Sequence, residues 1–164
     1  MLRFNTVDVD KKHDEKSYGA LDTVQMKEDL EIAKRRLCEE NLTLSIVKGS
    51  KVIFESETHG IFSFLEAIER FGEELKGASV ADKVVGKAIA LLCIYAGVKA
   101  VYAETLSRKA KPVFEKHKVH FEFGNLVEKI LDASKKAMCP FEKAALKISK
   151  PEEAYRKFKA LYEL

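Results

Sequence analysis

The chain has 164 residues, 46% of them hydrophobic and 34% charged, enough to build a core that needs no disulfide or metal staple. The net charge is +3 with acidic residues interspersed among basic ones, which argues against nucleic acid as a partner. The apolar run 84–98 is broken by Gly86, Lys87 and Gly97 and is too short to span a bilayer, so no membrane partner is expected.

Residues 1–22 are polar, carry a charge run and lack hydrophobic periodicity, so they read as a flexible N-terminal tail ahead of a single α/β domain over 23–164. Met26, Leu30, Ala33 and Leu37 then fall on one stripe of an amphipathic helix over 24–40. Leu42 to Val47 alternates as a strand, Gly49-Ser50 fits a type II′ turn, and 51–55 is the return strand of a hairpin. Ile61, Phe64, Leu65, Ile68 and Phe71 have helical spacing, with Gly72 as a stop.

The stretch from Gly77 to Glu104 reads as one long buried helix, a glycine stop at Gly97 and a central strand over 98–103. Ser79 is expected to cap that helix, with Asp82 at its third position and Lys83 in its first turn. A helix over 107–117 follows, with Pro112 near its start, and then a strand over 119–123 ended by Gly124. Asn125 and Glu128 form a capping-box pattern for a helix to Ala133. Pro140 and Pro151 each suit the first turn of a further helix. The expected architecture is a three-layer α/β/α sandwich with a mixed sheet of about four strands.

Three segments, Gly77–Lys87, Tyr102-Ala103-Glu104 and Cys139-Pro140-Phe141-Glu142-Lys143, carry a resemblance. Together with the element order, they resemble a small prokaryotic family, a domain of unknown function, with a cytidine-deaminase-like fold. The resemblance covers about 26–148 and implies a leading helix, an antiparallel hairpin and alternating helices and strands. It also implies a ligand cleft facing the N-terminus of the helix that Ser79, Asp82 and Lys83 are expected to open. Zinc deaminases of that fold need a His or Cys two residues before a Glu at one helix opening, and Pro-Cys-x-x-Cys at the next. The expected openings, Ser79-Val80-Ala81-Asp82 and Thr105-Leu106-Ser107-Arg108-Lys109, supply neither. Cys139-Pro140 reverses the order and stands alone. The scaffold is thus expected without the metal chemistry, and no cofactor is implied.

The candidate residues sit at expected element ends. Asp82 and Lys83 lie where free backbone N–H groups favour anions, although Asp82 also serves as a plain capping partner for Ser79. Glu104 is expected to end a buried strand, where ligands of open α/β sheets gather. Ser107 is expected to cap the next helix, with Arg108 and Lys109 beside it to hold a phosphate. Cys139, before Pro140, is expected at a helix N-cap, where the helix dipole favours thiolate, with Glu142 three residues on.

Three functions stay open. The first is a metal-free domain binding a small anionic or nucleotide-like ligand through Ser79, Asp82, Lys83, Glu104 and Ser107. The second is an enzyme with Cys139 as nucleophile or redox centre and Glu142 setting its protonation. The third is a structural module, including a homo-oligomer, that pairs through a sheet edge or the C-terminal helix. The three cysteines, Cys38, Cys93 and Cys139, have no CxxC spacing and no signal segment precedes them, which points to reduced thiols and a cytoplasmic setting.

Overall fold

The computed structural model describes residues 11–163. Its elements are helix α1 (Lys11–Glu39), strands β1 (Leu44–Lys48) and β2 (Lys51–Ser56), helix α2 (Phe62–Phe71) with a 3-10 turn (Gly72–Leu75), strand β3 (Ser79–Val85) and helix α3 (Lys87–Tyr95). Strand β4 (Ala100–Ser107), helix α4 (Lys111–Lys116), strand β5 (His120–Val127) and helices α5 (Pro140–Ala145) and α6 (Pro151–Tyr162) complete it. The expected tail divides: α1 begins at Lys11, and residues 1–10 lie outside the described residues.

The sheet has five strands in the order β2-β1-β3-β4-β5. The β1–β2 and β1–β3 pairs are antiparallel, whereas β3–β4 and β4–β5 are parallel. This is the mixed sheet and element order that the sequence leads one to expect, with one strand more than the four counted there. The additional strand is β3, read from the sequence as the first half of a long helix. Ser79–Val85 is buried on both sides at Ser79, Val80 and Ala81, so it lacks the apolar–polar alternation that betrays a half-buried strand. Gly86 then separates strand from helix.

Two apolar clusters fill the two faces of the sheet. Ala33 and Leu37 of α1 pack with Leu42, Val47 and Ala81 on one face. The larger cluster lies on the other, joining Phe64 and Leu65 of α2, Leu91 and Leu92 of α3, Phe114 of α4, Ala145 of α5 and Phe158 of α6 to Val80, Val101 and Ala103. The three layers are therefore unequal: among the described residues α1 covers one face and α2 to α6 cover the other.

Other boundaries move as well. The Gly49-Ser50 turn has φ of +59° and +63°, so both central residues are left-handed and the turn is type I′ rather than II′. β4 continues past Ala103 to Ser107, so Glu104 lies inside the strand instead of ending it. Ser107 ends the strand instead of capping a helix. β5 runs through Gly124, where a Cβ would stand 2.9 Å from the Glu104 carbonyl oxygen; this glycine permits close backbone approach and does not turn the chain. The Asn125–Glu128 capping box forms no helix, because Asn125 belongs to β5 and pairs with Thr105. The segment after Val127 is irregular, with a single Leu131–Met138 bridge.

Candidate functional site

The parallel strands β3 and β4 end together at Val85 and Ser107. The chain then enters α3 and α4, and between these helices lies an open cleft of about 530 Å³. Open α/β sheets place their ligands beyond the carboxyl ends of strands, and this cleft has that position. Leu91, Pro112, Val113 and Leu146 give it an apolar floor and wall. Lys87, Arg108, Lys109, Lys116 and His117 also line it, and no Asp or Glu does. Among the described residues, Lys109 and Lys116 have no carboxylate within salt-bridge distance, while Arg108 pairs with Glu128 at 2.6 Å on the open surface. Clustered like charges of this kind repel one another and draw counter-ions.

Local structure explains how the cations arrive there. Lys87 is the first residue of α3. Its ammonium donates to the Leu146 carbonyl at 3.2 Å. Burial pulls that ammonium below its ordinary lysine range, with the Glu142 carboxylate acting in the opposite direction. Ser107 is fully buried at the end of β4. Its hydroxyl accepts from the Lys109 backbone N–H at 3.0 Å, which shapes the turn that presents Arg108 and Lys109. Pro112 lies in the first turn of α4, where its missing N–H costs nothing.

Glu142 is the strut beneath this arrangement. It is 2% exposed. Its carboxylate accepts from the Lys87 N–H at 2.8 Å and from the Ile130 N–H at 2.5 Å. The sequence suggests a pairing with Cys139; the structure instead ties it to α3 and to the loop after β5. Gly86 makes this possible, since a Cβ there would meet Glu142 Oε1 at 3.0 Å and Ile130 Cγ1 at 3.1 Å. An internal carboxylate thus occupies the N-terminus of α3, where a ligand anion would otherwise be expected.

The sequence-derived candidates do not converge. Ser79 begins β3, at the far end of the sheet from the cleft, and donates to the Met26 carbonyl at 2.9 Å. Lys83 is in β3 and not in a helix. It shares the α1 side of the sheet with Ala81, and its ammonium donates to Asn41 Oδ1 at 3.0 Å. Glu104 lies on that same side, two residues beyond Tyr102, which packs on the α1 cluster.

Asp82 is in β3 on the opposite side, half-buried, and its carboxylate accepts from the Val84 N–H at 2.9 Å. Neighbouring atoms surround it closely enough that desolvation pushes the carboxyl up to about 7, against the pull of that N–H. The buried Cys93 thiol is pushed well above its ordinary range, first by burial and then by Asp82.

Cys139 does precede α5 as its N-cap, with φ −50° and ψ 131°. It is half-buried and does not line the cleft, and the Glu142 carboxylate, three residues on, is committed to two backbone donors. Ser107 and Glu142 therefore support the cleft from behind, while Ser79, Lys83 and Glu104 lie elsewhere. Lys87, Lys116 and His117 were not singled out from the sequence. A Val-Val-Gly-Lys step from strand to helix is the signal that could have flagged Lys87.

The true helix openings, Gly86-Lys87-Ala88 and Ala110-Lys111-Pro112, likewise contain no His or Cys. Among the described residues no group of three His, Cys, Asp or Glu side chains could hold a metal ion, and no helix is long and apolar enough to cross a membrane.

A family model described as "Domain of unknown function (DUF1893)" matches residues 32–161. The crystal structure of a DUF1893 family protein from Thermotoga maritima is similar to this chain with a TM-score of 0.72 and 26% identity, covering 97% of this chain and 96% of that one. A Thermotoga maritima diaminohydroxyphosphoribosylaminopyrimidine deaminase/5-amino-6-(5-phosphoribosylamino)uracil reductase scores 0.41 at 21% identity, over 77% of this chain and 41% of that one. An apo dCMP deaminase from the cyanophage S-TIM5 also scores 0.41, at 14% identity over 66% of this chain and 98% of that one. No curated protein matches the chain.

Proposed function

This chain belongs to the DUF1893 family, and we propose that it binds a small anionic ligand in the basic cleft at the carboxyl end of β4, between α3 and α4. One observation carries the reading: four Lys or Arg side chains and His117 line one cleft that contains no carboxylate. Exposed charges interact weakly when isolated, and salt screens them over about 8 Å. Several cations around one concavity act together on a ligand in contact with more than one of them. The apolar floor supplies contact area for the uncharged part of such a ligand. The sequence offers two anion positions, a helix N-terminus near Asp82 and Lys83 and a phosphate site at Arg108 and Lys109 beside Ser107; the geometry favours the second and adds Lys87.

The test is calorimetric titration with inorganic pyrophosphate at low and at physiological salt. Binding is expected to weaken as salt rises. The charge reversal Lys109→Glu should lower affinity by at least about tenfold, or about 1.4 kcal/mol, with an unchanged melting temperature because Lys109 is exposed. Failure of pyrophosphate to bind at low salt, or equal binding by Lys109→Glu, removes the cleft as an anion site.

A further inference from the structure

The basic side chains of the cleft form two separate groups. Lys87, Arg108 and Lys109 gather where β4 ends and α3 begins, whereas Lys116 and His117 lie at the other end of α4. At a rise of 1.5 Å per residue, the six residues of α4, which starts beyond Lys109 and ends at Lys116, span about 9 Å. Apart from Ser149, the rest of the lining is apolar. Val113 and Leu91 are 9% and 1% exposed, Pro112 lies beside Val113 on α4, and Leu146 follows α5.

A helix C-terminus favours a cation, so Lys116 by itself would require no ligand. Two features go beyond that. His117 adds a second basic group on the cleft side, and Glu115, which could neutralise Lys116 locally, is paired with Lys111 at 3.6 Å.

A compact polyanion could engage only one of these groups. Its charge would otherwise have to lie over the Leu91–Val113 floor, where desolvating it is costly. We infer that the cleft takes an elongated ligand with two anionic groups, phosphate or carboxylate, spaced by roughly the length of α4, about 9 Å, and joined by an apolar segment. This rests on the anion-binding reading above and narrows it to a class of bis-anion.

Three probes separate the inference from the reading beneath it: hexane-1,6-diol bisphosphate, hexyl phosphate and inorganic pyrophosphate. Each is titrated into the intact chain at one salt concentration, with affinity from calorimetry and contact sites from backbone amide shifts. The bisphosphate is expected to bind at least about tenfold tighter than either other probe and to shift amides at both ends of α4. The double substitution Lys116→Gln with His117→Gln, both on the exposed surface, should reduce the bisphosphate to the affinity of hexyl phosphate with an unchanged melting temperature.

A bisphosphate no tighter than hexyl phosphate, or a double variant that binds it normally, overturns the two-group inference. Anion binding survives that result if pyrophosphate still shifts Lys87 and Lys109. No amide shift in the cleft with any of the three at millimolar concentration removes both.

Discussion

The two ends of the sheet use the same device to different effect. At the hairpin end, Asp29 of α1 is 2% exposed and accepts from the Gly49 N–H at 2.9 Å and the Ser50 N–H at 2.7 Å. At the cleft end, the equally buried Glu142 accepts from Lys87 and Ile130. Each is a carboxylate taken out of water and compensated by two backbone donors. That is how a buried charge becomes tolerable. The consequences diverge because of what surrounds each one. Asp29 closes a turn, and the pocket at Ser50 beside it is lined by Glu28 and Glu31 with one lysine, Lys27. Glu142 anchors the start of α3 beneath a cleft lined by cations, and its charge acts on one of them, Lys87. A buried carboxylate at a helix start is thus a tie here, and under the proposed function it is the lysines around the cleft that face the ligand.

Breaking the ties should rank them. Glu142→Ala leaves two N–H groups without a partner, one of them at the buried junction between β3 and α3. We expect a loss of about 3–4 kcal/mol in denaturant-measured stability, with Glu142→Gln recovering only part because its amide keeps a single acceptor oxygen. A change below about 1 kcal/mol would mean that water replaces the carboxylate at no cost.

Asp29→Ala should cost less, about 2–3 kcal/mol, since the hairpin turn is nearer solvent. Ser50 is a non-glycine residue at φ +63°, a conformation that Asp29 helps to hold. Adding Ser50→Gly to Asp29→Ala should therefore restore part of the loss. No restoration would show that Asp29 acts through α1 packing and not through the turn.

A third carboxylate sharpens the contrast, because Asp82 has one local N–H donor and is pushed up to about 7. Its folded-state value lies above the unfolded one, so the native state holds the proton more tightly. The stability this contributes is complete below about pH 4 and is lost as pH rises through about 7. We expect a decline on the order of 1–2 kcal/mol across that window, moderated because the side chain keeps some contact with water. Asp82→Asn should flatten the decline; an unaltered pH profile in that variant would assign it to other groups.

Much of the frame was legible in the chain. The stripe Met26-Leu30-Ala33-Leu37 defined the helix that covers one face, the Leu42–Glu55 pattern marked the hairpin, and Pro140 and Pro151 began helices as expected. These are local signals: periodicity shows which face must leave water, and proline and glycine restrict the backbone wherever they occur. The order of elements around them was enough to indicate a mixed α/β sheet.

Tertiary structure decided the centre and the site. Ser79–Val85 is apolar enough for either a buried helix or a buried strand, and only pairing with β1 and β4 selects the strand. That one choice moved Ser79 to the opposite end of the sheet, turned Lys83 toward α1 and transferred the helix opening to Lys87. The partners of Glu142 lie 55 and 12 residues away in the chain, so no local pattern could reveal them. The cleft likewise joins cations from α3, the β4–α4 turn and the end of α4. Sequence spacing specifies neighbours along one element, whereas a binding surface is assembled from the ends of several, and their meeting depends on how the whole core packs.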